Sequence, residues 1–481
     1  MKRVGTFVIT SVFLALLWCT ANYDASIKEI VPPEIPEISQ EQEKGAETEV
    51  LEETSDAVVP EEADNANTSE PEQKPQPNST VKDYDAYNSV AFEQIEEIKQ
   101  TVVDKITTEV IITSNHKPVG EEAYYQYADL NNTERLIYGK IVEAIKETQN
   151  IVNVRQYSCS AETIRNVYEH VVADYPQFFY LAKSYHYTCI MGSRNINQLI
   201  LRYSDGVTED CFDSEGNLTT KANRDRISQQ ICTFNEKVAS IIKSIPDTVS
   251  DIEKEKRIYD YLQENIVYDT GAAQLASGSY AGVVPHAYDA YGAACEGNAV
   301  CEGYAKLFQY LCYCVGINAT QIYGTSMDTD HMWNAVCIGD EWYMLDVTWD
   351  DSGMAGLHCY QYFNLTTSQI EADHHVSTTS IRVPSCNSTT YEFYNYYAMY
   401  VEDDAMAPMN YGSVLEYLAG SSDKYLCVYI NNQVLDVGKY ISRQLLAGTS
   451  DVQRYIKTKN YSIALANMYY QIGNYCYISL Q

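Results

Sequence analysis

The stretch ACEGNAVCEGYAKLFQYLCYCVGI, Ala294 to Ile317, carries the triplet Cys-Glu-Gly twice, six residues apart. From Cys301 onward, Tyr304, Phe308, Leu311 and Val315 recur at i, i+4, i+7 and i+11, the spacing of a helix that buries one stripe. Gly316 is placed to end it, and Gly297-Asn298 upstream favours a turn. Cys301 is therefore expected in the first turn of a buried helix. Unpaired N–H groups and the positive end of the dipole gather there and favour an anion, and the thiolate is the reactive form of cysteine. Cys295 is expected before the turn, in loop, without that support. Cys312 and Cys314, further along the apolar run, read as buried thiols.

A thiolate nucleophile works with a base, and the base with an orienting partner. Downstream stand Asp330-His331-Met332-Trp333-Asn334-Ala335-Val336, then Gly339-Asp340, then Glu341-Trp342-Tyr343-Met344-Leu345-Asp346-Val347-Thr348-Trp349. Gly-Asp between two alternating apolar runs signals a hairpin. With a two-residue turn, Ile338 faces Glu341, Trp333 faces Asp346, and His331 lies diagonal to Asp346 on the same face. Diagonal neighbours stand roughly 7–8 Å apart, a gap that an imidazole and a carboxylate can bridge. Asp346 is expected mid-strand, where a bare carboxylate is costly without a partner. Cys301, His331 and Asp346 are the candidate catalytic residues. Trp333, Trp342 and Trp349 cluster around the hairpin, with at least two expected in the core. Glu302 suits a helix N-terminus, and Asp350 and Asp351 suit a cap or turn. His374-His375 suits a structural or surface role. His286, a rival base, stands in loop beside Pro285 without a motif.

The whole chain has 481 residues, of which 45% are hydrophobic, enough for more than one domain and a sizeable core. Its formal net charge is -33, which argues against nucleic acid or an anionic membrane surface as a partner. Tyrosine, at 43 residues against 10 Phe, either suits wet polypeptide or glycan contacts or reflects compositional bias alone. Lys2 and Arg3 precede an uncharged apolar run, Val4 to Trp18, too short for a comfortable membrane span. Residues 1–21 are expected to be a signal peptide cleaved after Ala21, ahead of an uncleaved anchor and of lipidation at Cys19. No membrane association is expected beyond that segment. The 14 cysteines form no CxxC pair or regular framework, so neither a metal site nor a disulfide scaffold is expected.

Residues 22–82 read as an acidic disordered linker. Up to residue 80 they hold 16 Asp/Glu against three Lys, with seven of the chain's 13 prolines, too little apolar surface to offset ordering entropy. An N-terminal α+β module is expected over 83–215. It would include a helix from Phe92 to Val103, a capping box at Asn131-Asn132-Thr133-Glu134, a helix from Ala161 to Val172, and a strand from Ile196 to Tyr203. The core domain, 216–395, should hold helices over about Thr219–Ile245 and Ser250–Asn265, then a Gly/Ala-rich loop over 271–299. Residues 396–481 read as a small β-rich domain.

The segments AVCEGYAKLFQYLCYCVGI, HMWNAV and WYMLDVTWDD, in that order, resemble the transglutaminase-like superfamily of papain-like fold, most closely its secreted or surface bacterial branch. DYPQFFYL upstream and YFNLTTSQIEADHH downstream also resemble segments of that branch. The resemblance covers about residues 250–370. It implies an α+β fold in which a nucleophile helix packs on an antiparallel sheet, with Cys301, His331 and Asp346 on the triad positions. Cys295 falls where the family usually has an aliphatic residue, and Met332 replaces a commoner Ala. Thiol-dependent acyl transfer on protein or peptide amides is implied, through a thioester, without cofactor. Transamidation, deamidation and proteolysis share the triad. For the oxyanion, the Cys301 backbone N–H is one expected donor and Tyr291 the candidate for a second. The expected partner is a protein or peptide substrate at the cell surface or cell wall, in an extracellular setting. The alternative is a non-catalytic extracellular binding or scaffold protein that keeps the fold.

Overall fold

The computed structural model describes residues 50–54, 115–190, 193–275, 286–327, 329–351, 353, 357–377, 381–397, 400–401, 425–430, 469–472 and 475–479. The expected signal segment, the Phe92–Val103 helix, and most of the 22–82 linker and of 396–481 lie outside these residues. Within the expected linker, strand β1 (Val50–Thr54) pairs antiparallel with β3 (Leu181–Cys189). The sheet runs β1-β3-β4-β2, with β2 at Ile151–Asn153 and β4 at Ile196–Tyr203.

Helix α1 (Asn132–Lys146) begins at the expected capping box. Asn131 accepts from the N–H groups of Thr133 and Glu134, and the Glu134 carboxylate accepts from the Asn131 N–H at 3.0 Å. Its apolar face buries Ile137, Ile141, Val142 and Ile145. Helix α2 (Ala161–Asp174) is capped by Ser160. Its last residue, Asp174, is buried and accepts from the Gln126 and Tyr127 N–H groups and the Tyr138 hydroxyl.

Helices α3 (Lys221–Lys243) and α4 (Asp251–Asn265) follow the sequence expectation to within a few residues. The described part of the 271–299 stretch does not remain loop. It contains most of helix α5 (Thr270–Leu275), a single π-helical turn (Gly292–Glu296) and β6 (Asn298–Ala299), which pairs parallel with β5 (Val267–Tyr268). Asp289 nucleates the π turn by accepting from the N–H groups of Tyr291 and Gly292.

Helix α6 (Cys301–Cys314) is the centre of the core. Tyr304, Phe308, Leu311 and Val315 are all within 2% of full burial. The opposite side is buried as well, including Leu307, Tyr310 and Tyr313. A helix covered all round lies between layers: α4 packs on one side, and strands β7 (Ala319–Ser326) and β8 (Thr329–Ile338) on the other. Each fully buried large apolar side chain here contributes about 2 kcal/mol.

The second sheet runs β10-β7-β8-β9, all antiparallel, with β9 at Glu341–Leu345 and β10 at His374–Val376. The β8–β9 register is the one a two-residue turn demands: Ile338 opposes Glu341 and Asn334 opposes Leu345. Gly339 and Asp340 both take positive φ, 60° and 67°, as the tight hairpin turn needs. The core is thus mixed α and β, with a buried helix on an antiparallel sheet. A third sheet, β11-β12-β14-β13, comprises Tyr400–Val401, Tyr425–Ile430, Tyr475–Ser479 and Tyr469–Ile472 in that order.

Candidate active site

Cys301 is the first residue of α6 and is half-buried. Val300 precedes it in extended conformation, offers no side-chain cap, and donates its own N–H to the Ala287 carbonyl at 2.9 Å. Two residues on, Gly303 packs so closely that an added Cβ would sit 2.7 Å from the Ala287 carbonyl and 2.8 Å from the Ala299 Cβ. Glu302 bridges Lys306 on the same helix and Lys183 on β3, at 2.6 and 2.7 Å. Burial opposes its charge, but the two ammonium groups prevail and bring its carboxyl down to about 2. The start of α6 is therefore held by the turn before it and by β3.

His331 lies on β8, and its Nε2 faces Asp346 Oδ2 at 2.5 Å. Burial disfavours its charge. The Asp346 carboxylate bonded to it and, after that, the nearby Cys301 outweigh that, raising its pKa to about 10. With Nε2 committed to Asp346, Nδ1 is the nitrogen left for Cys301. Asn334, three residues along β8, sets the distance between strand and helix. Its Nδ2 donates to the Ala305 carbonyl on α6 at 3.0 Å and to the Thr320 carbonyl on β7 at 3.3 Å, and it is buried.

Asp346 does not lie mid-strand. Strand β9 ends at Leu345, and Asp346 caps the short helix α7 (Val347–Asp350). Its backbone stays extended because its N–H bonds to the Tyr362 carbonyl, outside the hairpin. Oδ1 accepts from the Thr348 and Trp349 N–H groups at 2.8 and 3.2 Å, while Oδ2 accepts from both His331 and His374. Four bonds satisfy a carboxylate's lone pairs. Burial alone would raise its pKa; His331 and His374 hold it far below the usual range.

His374 is the residue that sequence spacing did not single out. It is fully buried, with Nε2 at 3.0 Å from Asp346 Oδ2 and Nδ1 at 2.6 Å from Asp373 Oδ1. The adjoining His375 is exposed. Trp333, buried to 1%, and the half-buried Trp349 wall His374 at centroid distances of 5.1 Å each, whereas Trp342 packs on Tyr125. His331, Asp346 and His374 bring one nitrogen or oxygen each within 4.8 Å of one another. Both ring nitrogens facing the ionised Asp346 must carry protons, so the trio presents N–H donors rather than free lone pairs for a metal.

Below α7, Asp350 accepts from the N–H groups of Gln361 and Tyr362 and from the Tyr259 hydroxyl, and Asp351 accepts from the Tyr304 hydroxyl. Both carboxylates thus anchor the segment that carries Asp346.

The remaining sequence candidates lie elsewhere or differ in setting. Cys295 sits in the π turn, where burial pushes its thiol up to about 11, with Asp289 and Glu296 adding to the rise. Tyr291 packs on Phe179 and His286, at 4.9 and 4.8 Å between centroids. The tyrosines that feel the Cys301 charge are Tyr268 and Tyr288; burial raises both, and Cys301 adds to it. His286 is not in free loop. It forms a short turn with Nδ1 at 2.8 Å from Asp289 and Nε2 at 3.4 Å from Asp205.

A family model described as the transglutaminase-like superfamily matches residues 238–347, a span that takes in Cys301, His331 and Asp346. The mouse kyphoscoliosis peptidase is 27% identical over 128 residues, covering 24% of this chain and 18% of that protein. The human kyphoscoliosis peptidase is 27% identical over 112 residues, covering 21% and 16%. The chain thus spans less than a fifth of the length of these relatives. A crystal structure of a TGase aligns at 17% identity and a TM-score of 0.23, covering 35% of this chain and 46% of that one. Residues 238–347 form a transglutaminase-like superfamily domain.

Proposed function

We propose that the protein is a thiol-dependent acyl-transfer enzyme acting on protein or peptide amides, with Cys301 as nucleophile, His331 as proton carrier and Asp346 as orienting partner. The observation that carries this is the His331 imidazole on strand β8, bonded to the buried Asp346 Oδ2, with Cys301 as the first residue of the buried helix that packs on that strand.

His331 takes the Cys301 proton, and the thiolate attacks the amide carbonyl carbon. The tetrahedral intermediate collapses as the C–N bond breaks, and the His331 imidazolium gives its proton to the departing nitrogen. Ammonia or an amine leaves and a thioester remains. A second amine completes transamidation, and water completes deamidation or proteolysis, with His331 again accepting the incoming nucleophile's proton. The peptidase name of the mouse and human relatives agrees with the hydrolytic outcome. An exported site of action at the cell surface is part of the proposal, supported by the apolar run after Lys2-Arg3. Recovery of full-length protein only in the cytosolic fraction overturns that part.

The test is alkylation of the folded protein with iodoacetamide across pH, followed by site mapping. Cys301 is expected to label ahead of every other thiol below pH about 8, and His331→Ala to remove that lead. Uniform slow labelling overturns the proposal in favour of a binding role. Incubation with a glutamine donor and a labelled amine, then with a peptide library, separates transfer from cleavage.

A further inference from the structure

His374 uses both ring nitrogens against carboxylates. Nε2 faces Asp346 Oδ2 at 3.0 Å and Nδ1 faces Asp373 Oδ1 at 2.6 Å. An ionised carboxylate only accepts, so both nitrogens must donate, and a ring that donates from both carries a positive charge. Asp373 is itself held, since Oδ2 accepts from the Tyr362 hydroxyl at 2.6 Å. The groups facing His374 are therefore Asp346 before α7, Asp373 beside it in the chain, His331 on β8 at 5.3 Å between ring centroids, and Tyr362, whose ring lies at 5.4 Å. The Trp333 and Trp349 rings close the remaining sides and keep water from the charge.

This arrangement bears on how tightly Asp346 grips the His331 proton. In the proposed reaction His331 must first take a proton and then release it to the leaving nitrogen. A buried carboxylate with one imidazole as its sole cationic partner would favour the charged imidazole strongly and slow the release. Here the same oxygen, Oδ2, is shared between two imidazoles. We propose that His374 is a standing imidazolium and a positioning residue, whose charge draws on Asp346 and so lowers the proton affinity of His331. The inference rests on the reading that His331 is the proton carrier. The direction of His374's own shift agrees: burial lowers its proton affinity, but Asp346 and Asp373 raise it overall, and His331 opposes that rise.

Histidine side-chain 15N NMR on the full chain, labelled at its eight histidines, tests this directly. His374 is expected to keep both nitrogens protonated at pH 7, where a free imidazole is mostly neutral, and His374→Gln is expected to move the His331 titration upward by about one unit. Asp373→Asn leaves the ring in place, and the His374 midpoint should then fall; this variant carries the test if His374→Gln does not fold. A neutral His374 at pH 7 in the wild type overturns the proposal. So does a His331 midpoint unchanged in a folded His374→Gln, the result a purely structural role would give. These readouts do not need Cys301 to react, so failure of the proposed enzymatic function is scored separately, by alkylation.

Discussion

At Cys295 the charged neighbours are Asp289, Glu296 and the more helpful Lys237; at Cys301 the neighbour is the His331 imidazole. The two cysteines open the same triplet, and each has an Asp and a His within its own part of the fold. On the first side, His286 is spent between Asp205 and Asp289, and its ring packs at a tilt against Tyr291. On the second, His331 faces one carboxylate, Asp346, through Nε2, and Nδ1 is the nitrogen the proposed mechanism turns to the thiol. The glycines differ too. Gly297 takes φ of 69° to close the π turn, while Gly303 is helical and lets α6 lie against the Ala287 carbonyl. Residue types alone do not make a reactive thiol. The two settings differ in how many carboxylates the histidine faces, two for His286 and one for His331.

The widest separation between the two sides should come from removing the sulfurs. Cys301→Ala is expected to abolish acyl transfer, a loss on the order of 10³-fold or more. Cys295→Ala should leave the rate within twofold of wild type. Turnover on a glutamine donor with a labelled amine, or on the best cleaved peptide, measures both. If Cys295→Ala is the variant that fails, the two triplets have been assigned the wrong way round.

The next effect concerns the second glycine. In Gly303→Ala the new Cβ would meet the Ala287 carbonyl, the Ala299 Cβ and, at 3.1 Å, the Asp289 carbonyl. Two of these are backbone atoms that cannot swing aside. The start of α6 must shift away from the His286–Tyr288 turn, costing roughly 1–3 kcal/mol. Because Cys301 lies two residues upstream, its alkylation should slow by about 10- to 100-fold, as a displacement on the order of 1 Å does. Thermal melts and labelling rates read the two effects separately. An unchanged labelling rate in a destabilised variant would show that the helix start does not set the thiol's placement.

Much of this second side was legible in the sequence. The 3.6-residue spacing after Cys301 and the Gly316 stop define α6 locally, and Gly-Asp between alternating runs sets a register that the β8–β9 pairing reproduces. Local rules failed where distant contacts decide. The π turn over Gly292–Glu296 reads as loop because its Ala-rich sequence has no helical stripe; its shape comes from Asp289 and from close packing of Gly292 on the His286 carbonyl. Asp346 was expected in a strand because the alternation runs through it. It turns out to be a cap because β8 pairing stops at Leu345, while the segment around Tyr362 and Leu365 pairs along the other edge of β9 and takes the Asp346 N–H. His374 was hidden because its partner is 28 residues away, across a sheet order in which β10 returns beside β7.

A smaller effect should follow from loosening the link between strand and helix. Asn334→Ala removes the donor that ties β8 to the Ala305 and Thr320 carbonyls. Losing these buried side-chain hydrogen bonds costs roughly 0.5–1.5 kcal/mol each. Alkylation at Cys301 should slow by less than about 10-fold, because the sheet and α6 still hold His331 near. A loss as large as that of His331→Ala would mean that Asn334 does more than space the two elements.

The smallest expected effect on chemistry, and the clearest control, is on the first side. Hydrogen bonds to Asp205, then to Asp289, raise the His286 pKa from 6.5 to about 10 against the cost of burial. A histidine whose proton is held more tightly in the folded chain adds stability that is fully present below its unfolded value. That contribution fades as pH rises through the folded one. His286→Gln should therefore cost roughly 2 kcal/mol near pH 6, and the difference from wild type should shrink as pH approaches 10. Urea unfolding at several pH values measures it. The same variant should label at Cys301 at close to the wild-type rate, since both ring nitrogens of His286 are engaged by Asp205 and Asp289. A difference in stability that stays constant with pH would remove the electrostatic account of the clamp. A collapse in Cys301 labelling in folded protein would bring His286 back as a competitor for the base.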